Sequence, residues 1–195
     1  QIMKRRLNIH FSLIDFYKSI AYKKVFLFIL FSSLGYRFLI LFRYFENSNV
    51  TGAFETDEWH TISVISLMKS TDSFNPHYFA YPSLYYNLCL LVSYPVHFIF
   101  GDGWHVTLLT SRVLSILFGL ISLIVIYKIG IEVYNDKVGL LSMFILSINP
   151  LHLEHSIVAK PDMLQFMFLT LSMLYCVKIA KHNIQKDYYI LVLFI

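Results

Sequence analysis

Cysteine and charge are both scarce in this sequence, and each scarcity restricts what the chain can be. The only two cysteines, Cys89 and Cys176, lie in apolar runs. We therefore expect buried or lipid-facing thiols rather than a disulfide or a metal site. Charged residues make up 14% of the chain, whereas hydrophobic residues make up 57% and mean hydropathy is +0.61. Soluble domains are about 45–50% apolar, so the composition indicates a membrane protein.

Several patterns typical of other protein classes are also missing. The sequence has no series of short alternating segments such as transmembrane strands show, and no internal repeat. Its basic N-terminus is not followed by a short apolar run with a small-residue cleavage site. The net charge of +4 comes from Lys and Arg beside apolar runs, as the positive-inside rule explains, so we expect no nucleic-acid partner.

Apolar runs near or above the roughly 18–20 residues that cross about 30 Å of hydrocarbon predict an all-α polytopic membrane protein. The chain begins at Gln1 and stops inside an apolar run. We therefore expect a fragment: the N-terminal transmembrane module of a longer protein, forming one domain over 1–195. The predicted parts are a cytoplasmic segment at 1–24 with an amphipathic helix at 9–20, a span at 25–45, an extracytoplasmic loop with juxtamembrane helices at 46–107, and further spans over 108–195, at 108–134, 138–148, 163–180 and from 188.

The run from Leu84 to Phe100 has two interpretations. If it lies on the outer surface, eleven of the sixteen Lys and Arg face the cytoplasm. These are Lys4, Arg5, Arg6, Lys18, Lys23, Lys24, Lys128, Lys137, Lys178, Lys181 and Lys186. If it spans, five of them move outside. The positive-inside rule favours the first alternative, which predicts a juxtamembrane helix there and chemistry on the extracytoplasmic side.

Asp57 and Glu58 are the first candidates for chemistry. Adjacent acids in a loop are commonly just solvated, but these begin a segment with helical periodicity over 57–69. Acids in the first turn are favoured by the helix dipole. They could also act as a general base or as ligands for a hard metal ion.

Three further groups of residues lie in the predicted outer loops or at the outer ends of spans. Asp162 has two interpretations, an acid at a helix N-terminus or a second site acid. Arg112, one turn inside a span, either snorkels to the interface or contacts phosphate through paired donors. His77, Tyr81 and Tyr85 belong to a proline-aromatic segment, which is typical of an interfacial aromatic belt but would also suit a sugar or a prenyl phosphate.

Taken in order, four segments resemble the start of a GT-C glycosyltransferase. They are TDEWH after the first span, DSFNPHYFAYPSLYY, SRVLSILFGLISLIVIY with its arginine near the outer end of a span, and HSIVAKPDM ending in an acid. The resemblance covers about residues 25–180. It is nearest to the family that includes protein O-mannosyltransferases and the lipid A aminoarabinose transferase.

The resemblance implies a large extracytoplasmic first loop and a polyprenyl-phosphate sugar donor. It implies that Asp57 is the catalytic or metal-associated acid of the first loop, that Asp162 is the acid of the second, and that Arg112 engages the lipid phosphate. Relatives carry Lys or His before the proline at 82, where this chain has Tyr81. This departure argues against the substrates of either relative.

The expected function is therefore transfer of a sugar, with inversion, to a glycan, lipid or protein acceptor outside the cytoplasm. Asp57 or Glu58 would take the acceptor's proton, and Arg112, His77, Tyr81 and Tyr85 would bind substrate. A divalent metal ion held by Asp57 and Asp162 is a further expectation. We expect a multi-pass protein of the cell membrane, surrounded by membrane lipids. The alternatives are a transporter or flippase of lipid-linked saccharides, or a non-catalytic membrane fragment.

Overall fold

In the computed structural model, residues 2–47, 55–101 and 103–194 are described, with side chains for 20–42, 55–101 and 103–194. These residues form α-helices and no strand. The helices are α1 (Ile2–Asn47), α2 (Thr56–Ser70), α3 (Ser83–Phe100), α4 (Trp104–Val133), α5 (Asp136–Ser147), α6 (Pro150–Ile157), α7 (Asp162–His182) and α8 (Gln185–Val192). The prediction of an all-α polytopic membrane protein is confirmed.

Within the part of the chain that the structure describes, four helical stretches are long and apolar enough to cross a membrane. They are Ile20–Phe42, Ser83–Phe100, Trp104–Val133 and Asp162–His182. Three of them match the predicted spans in α1, α4 and α7, although α4 begins four residues earlier than expected. The predicted amphipathic helix at 9–20 is part of α1, but most of its side chains lie outside the described residues.

Contacts between side chains give the directions of the helices. The rings of Phe26 and Tyr127 are 4.8 Å apart, and Arg37, later in α1, is linked through His152 to Ser122, earlier in α4, so these two helices run antiparallel. In contrast, α4 and α7 run parallel, because Gly119 lies beside Met163 and Glu132 contacts His182. The helices α1, α4 and α7 thus form the frame on which the site is built.

The return from α4 to α7 is made by two short helices. The 12-residue α5 is about 18 Å long at 1.5 Å per residue, too short to cross alone, so the span predicted at 138–148 is not among the four candidates. It ends before Asn149, whose side chain accepts a hydrogen bond from the backbone of His152 and caps α6, with Pro150 in the first turn. At the other end, α5 packs closely on α4. A Cβ on Gly130 would lie 2.5 Å from the Cα of Gly139, so this contact requires glycine.

Helix α3 is antiparallel to the first part of α4 only. The hydroxyl oxygens of Tyr85 and Ser115 are 3.1 Å apart, and Nε2 of His97 is 3.0 Å from Oγ1 of Thr107. The 30-residue α4 is about 45 Å long, which exceeds the hydrocarbon thickness by roughly 15 Å. If the extra length of α4 lies at its start, α3 can pack against it outside the hydrocarbon, as a juxtamembrane helix would. Length and composition also admit a span, so the juxtamembrane assignment stays a prediction.

The core has two main parts. One joins α2, α3, α4 and α7, and the other joins α1, α4, α5 and α6. Between them, Ile62 of α2, Leu108 of α4 and Ala159 after α6 form a small third cluster. Because α2 packs on both α4 and the segment after α6, the acids of its first turn are brought against residues about 50 and 100 positions away.

Candidate functional site

The adjacent acids Asp57 and Glu58 have different environments, because successive side chains on a helix point about 100° apart. Glu58 lies on the face of α2 that carries Ile62 and Ile65, and it is fully buried. Asp57 lies off this face, and its side chain is 54% exposed. Only one acid of the pair is therefore open to solvent.

Glu58 forms a buried, bidentate ion pair with Arg112 of α4. Nε of Arg112 donates to Oε1 at 2.8 Å and Nη2 donates to Oε2 at 2.7 Å. The backbone N–H of Ala159 also donates to Oε1, at 2.8 Å. Paired, charge-assisted hydrogen bonds of this kind are strong and fix geometry. The contacts of Glu58 thus join α2, α4 and the segment that follows α6.

The sequence suggested that Glu58 takes a proton and that Arg112 contacts the lipid phosphate. Both side chains have a relative exposure of 0%, and neither lines the cleft beside Asp57. Those two roles stay predictions, while the observed contacts of the pair are structural. Arg112 does not snorkel to the interface, because its guanidinium faces inward to Glu58.

Asp57 is paired with a cation that the sequence did not single out. Nζ of Lys160 lies 3.1 Å from Oδ2 of Asp57 and also contacts Glu55. The Lys160 side chain is only 12% exposed, so it is held between the two carboxylates. Lys160 is a hundred residues from these acids in the sequence, and no spacing pattern could have linked them.

Asp57 and Lys160 line a cleft of about 340 Å³. Most of the remaining wall is aromatic and comes from α2, the loop after it and the start of α3. It includes Trp59, His60, Tyr78, Tyr81 and Tyr86. Tyr78 is at the centre of this wall: its ring is 4.1 Å from that of His60 and 6.1 Å from that of Tyr81. The cleft combines a carboxylate, an ammonium group and flat aromatic surfaces, which suits a polyhydroxylated ring.

Tyr81 occupies the position before Pro82 where the resembling proteins carry a cation. Asp57, above all, raises the pKa of Tyr81 from 10.0, followed by partial burial and the charge of Asp162. Its phenol therefore stays protonated and can donate a hydrogen bond. Lys160 supplies a cation to the lining of the same cleft.

Two other predicted binding residues lie outside the cleft lining. His77 is exposed, with φ at +49°, and its backbone N–H donates to the side chain of Asn75 at 3.0 Å. Tyr85 is fully buried, with its hydroxyl on Ser115. Its neighbour Tyr86 lines the cleft instead. The substrate-binding roles of His77 and Tyr85 stay predictions.

Asp162, the second predicted acid, begins α7 close to the cleft. Its Oδ2 lies 3.1 Å from Nδ1 of His155, and both side chains are about 40% exposed. Both border a second, largely apolar groove of about 300 Å³, which also contacts Met163 and Phe166. The short segment Lys160–Asp162 therefore has the aromatic cleft on one side and this groove on the other.

The predicted metal site receives no support from the donor set. Over 55–101 and 103–194, and in the described part of α1, no three His, Cys, Asp or Glu side chains are grouped to hold a metal ion. Oδ2 of Asp57 already faces Lys160, and Oδ2 of Asp162 faces His155. The metal requirement stays a prediction.

Comparison with known proteins gives a match to a family. Residues 96–195 match the family described as dolichyl-phosphate-mannose-protein mannosyltransferase. The matched part includes Arg112, Lys160 and Asp162, whereas Asp57 and the aromatic loop precede it. No curated protein and no solved structure gives a significant match to the chain. The match covers just over half of the sequence, and its members are membrane glycosyltransferases of GT-C type that use a lipid-linked sugar. The chain therefore belongs to the dolichyl-phosphate-mannose-protein mannosyltransferase family.

Proposed function

We propose that this chain carries the first-loop site of a transferase that moves a sugar from a polyprenyl phosphate to an extracytoplasmic acceptor, with inversion. The single observation behind the proposal is Asp57: an exposed carboxylate, paired with Lys160, on the edge of an aromatic cleft next to membrane-spanning helices. Family membership supplies the reaction class, and the cleft supplies a place for the sugar.

The proposed reaction needs one base and one displacement. A lone pair of the acceptor oxygen or nitrogen attacks the anomeric carbon from the face opposite the phosphate. The bond from that carbon to the phosphate oxygen breaks, and its electron pair leaves with the polyprenyl phosphate. Asp57 takes the proton that the acceptor loses. General-base help of this kind typically contributes about 10²–10⁴-fold, so positioning and electrostatics must supply the rest.

Lys160 and Tyr81 have supporting roles in this proposal. The ammonium group of Lys160 orients the carboxylate of Asp57 and offsets negative charge that develops on the departing phosphate. The protonated phenol of Tyr81 donates a hydrogen bond to the same oxygens. Together they replace the Lys or His that the resembling proteins carry before the proline. The pair of Glu58 and Arg112 holds α2 so that Asp57 faces the cleft.

Substitution of Asp57 tests the proposal. The full-length protein would be reconstituted in liposomes with polyprenyl-phosphate mannose and other polyprenyl-phosphate sugars as donor probes, each radiolabelled in the lipid, and release of free polyprenyl phosphate would be measured. We expect Asp57→Asn to lower release by at least about 100-fold, with unchanged expression and insertion. Asp72→Asn is the matched control. Asp72 is an exposed acid at φ +48°, a conformation that Asn tolerates, and it lies outside the cleft.

Two results would count against this function. Near-wild-type release by Asp57→Asn would remove the carboxylate from the mechanism. Movement of the lipid-linked sugar between leaflets, without release of polyprenyl phosphate, would favour the flippase alternative. Treatment with a chelator distinguishes the two groups that could offset the negative charge on the departing phosphate, which are Lys160 and a divalent metal ion. Full activity in EDTA supports Lys160 alone, and loss that Mg²⁺ restores supports the predicted ion at Asp57 and Asp162.

A further inference from the structure

A second buried cation, Arg37 of α1, has no role in the proposed reaction. It is in the apolar stretch Ile20–Phe42, and its relative exposure is 0%. Nε donates to Oγ of Ser156 at 2.8 Å, and Nη2 lies 2.8 Å from Nδ1 of His152. Nη1 donates to the carbonyl of Ser33 at 3.1 Å and also contacts its hydroxyl. Arg37 thus joins α1 to α6 through two different residues of α6.

The hydrogen bonds continue from α6 to α4. A guanidinium only donates, so Nδ1 of His152 accepts and Nε2 carries the proton. Nε2 lies 2.9 Å from Oγ of Ser122, whose hydroxyl donates to the carbonyl of Gly119 at 2.7 Å. His152 is therefore neutral and is fixed in one tautomer. Three helices meet at this network, and α6 is in the middle.

The position of α6 affects the site because the residues that directly follow α6 contact the acids of α2. Ala159, two residues after α6 ends, donates its N–H to Glu58, and its carbonyl accepts from Oγ1 of Thr61 at 2.9 Å. Lys160 follows and meets Asp57. A helix of eight residues has little packing surface of its own, so its placement depends on such contacts.

We propose that Arg37 is a positioning residue for the site: it holds α6 against α1 and α4, and so sets where Ala159 and Lys160 meet α2. Burying a charged side chain within a membrane-spanning segment costs free energy, so such residues are usually paired or functional. An arginine suits this use because its planar fork donates in several directions at once, whereas lysine presents a single ammonium group. The effect on catalysis rests on the proposed function, but the effect on structure does not.

Hydrogen exchange of the Ala159 amide, measured in full-length protein in nanodiscs, tests the structural part. Arg37→Lys keeps the charge but loses the fork, and Ser156→Ala removes one acceptor on α6. We expect each to raise exchange of this amide by about tenfold or more, as loss of a charge-assisted hydrogen bond implies. Ser33→Ala is the matched control, because Ser33 is on α1 itself and its carbonyl still accepts. It should leave the exchange rate of the Ala159 amide unchanged.

Three outcomes would overturn the proposal. One is unchanged exchange at Ala159 in both variants, with Glu58→Gln showing that the amide does respond when its acceptor changes. Another is an equal rise across all helices, which would mean that Arg37 only stabilises the fold. The last is a rise in exchange of the Ala159 amide in Ser33→Ala that equals the rise in Arg37→Lys and Ser156→Ala.

Kinetics separate this inference from the proposed function. If Arg37 positions the site, Arg37→Lys and Ser156→Ala lower kcat about tenfold with little change in donor KM, and Ser33→Ala leaves both unchanged. A fall in kcat without a change in exchange at Ala159 would contradict the inference. A wild-type protein that shows the expected exchange pattern but transfers no sugar would disprove the proposed function alone.

Discussion

Replacing Glu58 by Gln should detach α2 from the helices it packs on, although Gln has nearly the same size and shape as Glu. The carboxylate accepts two hydrogen bonds from Arg112 and one from the backbone of Ala159, all at 2.7–2.8 Å and out of contact with water. A neutral amide leaves the guanidinium buried without its counter-charge and turns one acceptor into a donor. Breaking a buried pair in this way costs about 3–5 kcal/mol. At about 1.4 kcal/mol per tenfold, that is more than a 100-fold loss in the ratio of folded to unfolded protein.

The neighbouring acid provides the control for this measurement. Asp57 is paired with Lys160 but is half exposed, and exposed ion pairs contribute about 0–1 kcal/mol. Asp57→Asn should therefore leave stability nearly unchanged while it removes activity. The chain's two tryptophans, Trp59 and Trp104, report on docking, since their rings are 5.0 Å apart where α2 meets α4. Their fluorescence during titration with denaturing detergent gives the stability of each variant.

Equal stability of Glu58→Gln and Asp57→Asn would refute this reasoning. It would mean that the ion pair with Arg112 does not hold α2, and that packing of residues such as Ile65 and Met68 is sufficient. A stable Glu58→Gln that has lost activity would go further. It would return Glu58 to the catalytic role that the sequence first suggested.

Three other predictions follow from the packing and the charges. Gly119→Ala would place a Cβ 2.9 Å from Cβ of Ser156, so α6 must move away from α4, and we expect a loss of about 1–3 kcal/mol in unfolding free energy by detergent titration. Lys160→Gln should lower sugar transfer at least tenfold because Asp57 loses its partner, and Lys160→Arg should restore part of it; full activity of Lys160→Gln would exclude the role. A membrane-impermeant amine reagent should label Lys181 only after permeabilisation, and labelling of Lys181 itself in intact cells, identified in its own peptide, would overturn the predicted topology.

The helices themselves were largely predictable. Apolar runs long enough to cross a bilayer gave α1, α4 and α7, and the acids before a helical periodicity gave α2. The broken return through α5 and α6 was partly visible in Asn149 and Pro150, a cap followed by a residue suited to a first helical turn. These features depend on residues close together in the sequence, so local physical chemistry is sufficient to predict them.

The different environments of Asp57 and Glu58 have a signal in the sequence that the predictions above did not use. Glu58 precedes Ile62 by four residues and Ile65 by seven, the spacing of one helix face. Asp57 is off that face. The periodicity alone therefore predicts that the two acids point apart and that Glu58 faces the core, although it does not say what Glu58 meets there.

By itself, the sequence determined that this is a helical membrane protein, that α1, α4 and α7 contain stretches long and apolar enough to cross, and which family the second half matches. Only the tertiary structure decided which charges meet: Glu58 with Arg112, Asp57 with Lys160, and Arg37 with α6. The physical reason is the distance along the chain, between 54 and 119 residues for the hydrogen bonds of these pairs. Hydrophobic length is a local property, whereas a contact between distant residues depends on how each helix is rotated and how closely it packs.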